Sequence, residues 1–108
     1  MWSKLSWVIA LSVLSAPSRA DTNHEFAEQL GNLIASQDAC EFQIDQDAVQ
    51  KAIIKNVSEG DLEFPDALEI NIWSQKRDLE GMDNLRLKLH CQQILRAGRK
   101  RGYVKGRQ

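Results

Sequence analysis

Phe26, Leu30, Leu33, Ile34 and Gln37 recur at the three- and four-residue spacing of one helical face. At about 100° per residue, Cys40 falls within the same stripe. Just ahead of it, Thr22-Asn23-His24-Glu25 has the spacing of a capping box, in which a threonine hydroxyl and a glutamate carboxylate satisfy free N–H groups. The pattern predicts a first helix from there to Cys40, with the cysteine on its buried face. Asp45 is a good N-cap for a second helix, and Ile44 and Val49 stand where a hydrophobic staple places its partners. Ala48, Ala52, Ile53 and Val57 continue that helix, which should stop before Gly60. Ser58-Glu59-Gly60-Asp61 has the residues of a turn. Pro65 suits a first helical position, where its missing N–H costs nothing. Leu68, Ile72, Trp73 and Leu79 then make a third helix ending near Gly81.

The fourth segment reads two ways. Leu85-Arg86-Leu87-Lys88-Leu89-His90 alternates with the period of a strand, whereas Leu87, Cys91, Ile94 and Leu95 share one helical face. The helical pattern runs longer. Leucine, arginine, lysine and glutamine are good helix formers, and branched, strand-favouring residues are scarce here. Helix is therefore the expectation, with Asp83 as its N-cap and Gly98 or Gly102 as its end. The fold class that follows is all-α, a small bundle of three or four helices.

The N-terminus changes the setting of this bundle. Lys4 precedes the apolar run Trp7 to Leu14, and Ser18-Arg19-Ala20 supplies the small residues a signal peptidase needs. Residues 1–20 read as a cleaved secretory signal peptide, and the run is far short of the roughly 20 residues that span a bilayer. The remaining 88 residues would bury roughly 60% of their unfolded surface, which is marginal without a crosslink. Cys40 and Cys91 are the only cysteines, and in an oxidising compartment such a pair reads as a disulfide. Closing a loop of about 50 residues contributes about 4 kcal/mol by the chain-entropy argument. The expected location is periplasmic or secreted.

Charge is divided along the chain. Residues 21–95 hold six basic and fifteen acidic residues, a net of −9, and no acid follows Asp83. Residues 96–108, read as a basic C-terminal tail beyond a helical domain of residues 21–95, carry Arg96, Arg99, Lys100, Arg101, Lys105 and Arg107. Such a tail either neutralises the acidic body or meets an acidic partner. Electrostatic folding back on the acidic body, with Tyr103 and Val104 as an apolar anchor, is the first reading, and contact with an anionic membrane surface or a partner the second. Nucleic acid is disfavoured because the chain is exported, its body is acidic and one tyrosine makes a poor stacking platform.

Candidate chemistry thins out on inspection. His90-Cys91 pairs two zinc ligand types, but structural zinc wants four, and the only other histidine is His24. A Cys/His nucleophile would need Cys91 as a free thiolate. Asp45-Gln46-Asp47 begins like a calcium loop, but Gln50 replaces the required glycine and Asn56 the closing glutamate. Glu59, Asp61, Glu63 and Asp66 read as a solvated turn. Asn56-Val57-Ser58 matches a glycosylation acceptor, which matters only in a source with an endoplasmic reticulum. No catalytic residue, metal or cofactor is expected. Ile70, Ile72 and Trp73 span angles too broad for one buried stripe. Either the small core takes them all, the commoner outcome, or Ile70 and Trp73 form an exposed apolar ridge of the kind that marks binding sites.

Phe64-Pro65-Asp66-Ala67-Leu68, Arg77, Leu79, Met82, His90-Cys91, Gln93 and Gly102-Tyr103-Val104 together resemble a group of small exported single-disulfide helical proteins from alphaproteobacteria. The likeness spans residues 38–104 and implies a Gram-negative periplasm and a helical fold. It carries no catalytic residue across, and the Lys105-Gly106-Arg107-Gln108 extension departs from the group's ending.

The functional expectation is a non-enzymatic protein that binds another envelope or exported protein through Ile70 and Trp73, through Arg99, Lys100, Arg101 and Tyr103, or both. The alternatives are a periplasmic acid-stress chaperone and a small cell-wall hydrolase. Export and crosslinking are checked together by intact mass. The expected product starts at Asp21, and its cysteines take up an alkylating agent only after reduction; two freely alkylated thiols would overturn the disulfide reading.

Overall fold

The computed structural model describes residues 19–105, with side chains from residue 23. The apolar run of the expected signal segment, and Arg107, lie outside the described residues. Among the described residues five helices follow one another: α1 (Arg19–Ala35), α2 (Gln37–Cys40), α3 (Gln46–Asn56), α4 (Phe64–Glu80) and α5 (Asn84–Arg101). The all-α expectation holds, and the Cys40–Cys91 disulfide is closed across 51 residues of sequence.

Caps set most boundaries. The Asp45 carboxylate accepts the Ala48 N–H at 3.1 Å at the start of α3, and the Asp83 carboxylate accepts the Arg86 N–H at 2.8 Å at the start of α5. Pro65 sits in the first turn of α4, and Gly81 follows its end. The ambiguous fourth segment is helical throughout.

The first helix departs from expectation at both ends. It is already helical at Arg19, so Thr22 lies within α1 and cannot have the extended backbone a capping residue needs. It also breaks at Ser36, four residues before Cys40. Ser36 Oγ donates to the Asn32 carbonyl at 2.8 Å, which that carbonyl would otherwise reserve for the helical ladder, and this back-bonding bends helices. The Ser36 N–H is accordingly shared between the Asn32 and Leu33 carbonyls. The single turn of α2 then ends in Glu41 at φ 58°, a left-handed position glycine usually fills.

The core is small. Ala27, Leu30, Val49 and Phe64 are buried together, with Phe26, Ile34, Ile44, Ile53, Val57, Ala67, Leu68 and Tyr103 packed around them. Phe26 and Phe64 stack with ring centroids 5.7 Å apart, so α1 and α4 meet through aromatic surface. They meet still more closely at Gly31, where an added Cβ would stand 2.7 Å from the Asn71 Cβ. α5 reaches α1 and α2, with buried Gly98 against Leu33 and Val104.

The chain end is built into this unit. Gly102 takes φ +80°, its N–H bonds the Arg99 carbonyl, and the Tyr103 N–H bonds the Gly98 carbonyl, a Schellman termination. Of the two expected ends, Gly102 stops α5, so residues 96–101 are its last turns and the boundary drawn after residue 95 falls inside a helix. Beyond it, Ile44 and Val104 form an antiparallel bridge. The Asp45 N–H donates to the Tyr103 carbonyl at 2.7 Å, and the Lys105 N–H to the Gln43 carbonyl at 3.0 Å. The tail folds back through backbone pairing and apolar anchoring by Tyr103, where an electrostatic return to the acidic body was expected.

The α1–α4 crossing yields a sign test. Glycine to alanine inside an exposed helix usually stabilises by about 0.5–1 kcal/mol. Gly31→Ala should instead cost about 1–3 kcal/mol, because the helices must separate to admit the methyl group. Urea denaturation measures it, and an unchanged midpoint would mean the crossing is looser than the geometry states.

Candidate functional site

α4 turns one face to α1 and the opposite face to solvent. Phe64 and Leu79 are buried and Leu68 and Ile72 half-buried, whereas Ile70 is 65% and Trp73 60% exposed. Ile70 and Trp73 are one turn apart, and Arg77, one turn further, places its guanidinium 4.8 Å from the Trp73 ring centroid. A cation on an aromatic face is a modest attraction at an exposed site, of order 0.5–1 kcal/mol. It gives the ridge a defined shape without covering it. The core therefore does not take all three apolar residues: only Ile72 turns inward.

Arg99, Lys100 and Arg101 are exposed in the last turn of α5, where positive charge complements the helix dipole. Arg101 donates to the Gln29 side-chain carbonyl at 2.8 Å, so its observed partner on α1 is a neutral amide. Tyr103 differs from these three. It is half-buried and packs on the core, which makes it part of the fold's closure more than of any outer surface. The expected binding residues thus lie on two helices, Ile70 and Trp73 on α4 and the three cations on α5.

Cys40 and Cys91 are both half-buried, so the bridge lies at the edge of the structure and joins α2 to α5, where a core link from the first helix was expected. The break at Ser36 moved the first cysteine onto a separate turn. Beside it lies a pair the sequence did not reveal. Ser36 is fully buried, and its Oγ stands 2.8 Å from His90 Nε2. Ser36 has a single hydroxyl proton, which goes to Asn32, so both bonds are met when His90 Nε2 carries a hydrogen and donates. Burial lowers the His90 pKa from its ordinary 6.5. The signal was present but needed the disulfide: Ser36 is four residues before Cys40, His90 one before Cys91, and the bridge brings these neighbours together.

A serine beside a histidine invites a nucleophile reading, which the burial removes. At 0% exposure Ser36 Oγ meets no substrate, and its proton is already given to a helix carbonyl. Among the described residues no three His, Cys, Asp or Glu side chains gather as a metal site. An apolar groove of about 240 Å³ runs between α1 and α5, lined by Phe26, Leu30, Leu33, Ile94, Gly98 and Tyr103. The Asn32 Oδ1, also at this groove, is buried without a hydrogen-bond partner. No described helix is long and apolar enough to cross a membrane.

These features define a class: a small all-α, single-disulfide domain with an exposed apolar ridge on one helix and a basic end on another. Compared with protein-family models, curated proteins and solved structures, the chain matches none.

The His90 environment sets a pH dependence. Its folded pKa lies below the unfolded value near 6.5, so its contribution to stability is complete above that value and is lost as pH falls through the folded pKa. Thermal melts should therefore show Tm declining as pH drops below about 6.5. His90→Gln, whose amide can still donate to Ser36 but cannot titrate, should flatten this part of the profile. An identical decline in the variant would assign it to other groups.

Proposed function

We propose that this is an exported, periplasmic or secreted, non-enzymatic protein that binds another envelope or exported protein. The observation that carries the reading is the Ile70–Trp73 ridge. Burying such side chains is worth about 1.5–3 kcal/mol each, yet they stand on the face of α4 turned away from α1. Tryptophan is also a frequent anchor of protein interfaces, where one ring supplies much of the contact energy. Arg99, Lys100 and Arg101 add a basic surface that steers an acidic partner and sets the rate of encounter. Export is supported by the residue pattern of positions 1–20 and by the closed Cys40–Cys91 bridge, a bond that persists in oxidising compartments.

The test places a photo-crosslinking amino acid at position 73 or 99 of the full chain expressed in a Gram-negative host, with fractionation of the envelope. A discrete adduct with one exported protein is expected. Arg99→Glu with Lys100→Glu and Arg101→Glu should reduce the adduct at position 73, at a stability cost of about 1–3 kcal/mol from reversing the charge at the C-terminus of α5 and losing the Arg101–Gln29 bond, with thermal melts verifying that the variant is folded. Absence of any adduct dependent on the ridge or the cations would sink the reading, as would recovery of the chain in the cytoplasm.

A further inference from the structure

Two of the exposed faces among the described residues complement each other. From Asn84 to Lys105 the chain carries Arg86, Lys88, Arg96, Arg99, Lys100, Arg101 and Lys105 and no acidic residue at all. Along α5, Leu85, Leu89, Gln92, Arg96 and Lys100 follow at spacings of four and three, so they share one face. All five are exposed, Leu85 by 67% and Leu89 by 53%. This stripe begins apolar and ends basic. Its counterpart on α4 joins Ile70 and Trp73 to Asp66 and to Glu63 just ahead of the helix, with Glu69 on the flank, all exposed. That stripe begins acidic, turns apolar and closes on Arg77 over the Trp73 ring.

We infer that the occupant of each stripe is the other stripe on a second copy of this chain, so that α4 of each copy lies antiparallel on α5 of its partner in a two-fold dimer. The register follows from the spacing. With the Ile70–Trp73 pair set against Leu85–Leu89, Glu63 lies between eight and nine residues from the centre of its apolar pair, and Arg96 nine from the centre of its own. Both are about 13 Å along their helices. An antiparallel arrangement therefore brings carboxylate opposite guanidinium as it brings apolar side chains together. The same two contacts occur twice across a two-fold axis, which closes the assembly at two copies. Within one copy this pairing is not made: α4 packs on α1, and α5 on α1 and α2.

The inference rests on the binding role proposed for the α4 ridge and the α5 cations, and adds Leu85, Leu89 and the acids before Ile70. It is tested by sedimentation velocity on the full chain. One variant reverses the acidic stripe (Glu63→Lys, Asp66→Lys, Glu69→Lys) and another the basic one (Arg96→Glu, Arg99→Glu, Lys100→Glu). All six positions are exposed, and circular dichroism with thermal melts verifies each fold. The wild type should dimerise at micromolar concentrations, more weakly as salt is raised. Each variant alone should weaken dimerisation at least tenfold, because both of its stripes then carry the same sign. An equimolar mixture should dimerise again, since opposite stripes are restored between unlike chains. A monomeric wild type, a variant that still dimerises, or a mixture that stays monomeric overturns the pairing. Should a variant fail to fold, Leu85→Ser with Leu89→Ser must weaken the dimer to the same degree, and a dimer indifferent to them overturns it equally. A monomer that still forms the position 73 adduct with a different protein rejects self-pairing while sparing the broader reading; a dimer without such an adduct does the reverse.

Discussion

The junction between α2 and α5 governs the rest of this structure. α5 meets the body along little surface, and its hold on the chain is concentrated at Cys40–Cys91, at Ser36–His90 beside it, and at Gly98 against Leu33. The covalent link removes conformations from the unfolded chain across 51 residues. The hydrogen bond fixes the rotation of α5 about that link. With α5 so placed, its Schellman turn delivers Tyr103 to the core and Val104 to Ile44. Without it, the chain end has no reason to lie where it does.

This arrangement leaves outer faces of α4 and α5 free. α4 has a partner on one side only, the α1 crossing at Gly31, and α5 is held at its middle and its end. Apolar side chains at Ile70, Trp73, Leu85 and Leu89 stay in water because the core is too small to reach them. Their neighbours are acidic at the start of α4, where Glu63, Asp66 and Glu69 precede Arg77 on the Trp73 ring, and basic along α5. Charges so divided raise association rates and restrict the choice of partner more than they stabilise the monomer.

Much of the fold was legible in local pattern. Asp45 and Asp83 cap the helices they were expected to cap, Pro65 stands in a first turn, and Gly81 and Gly102 stand at helix ends, because capping depends on a few adjacent atoms. The break at Ser36 was not legible. A serine on a helix can turn outward or bond its own carbonyl, and the choice here is tied to His90, 54 residues away. For the same reason the disulfide was readable as a pairing but not as a link from a separate turn at the molecule's edge. The candidate site divided likewise. Charge segregation was plain in the sequence, whereas the exposure of Trp73 and the inward placement of Tyr103 were each one of two open readings.

Helical class, the Asp45 and Asp83 caps, the cysteine pair and the sign of each segment were determined by the sequence itself, since each depends on residue type and short spacing. The tertiary structure alone decided which apolar residues the core could hold. Side chains at Ile70, Ile72 and Trp73 compete for one buried face, and the close approach of α1 and α4 at Gly31 and Asn71 sets the rotation of α4 that buries Ile72 in part and leaves the other two outside. A packing choice of that kind is a property of two helices at once, and no single segment contains it.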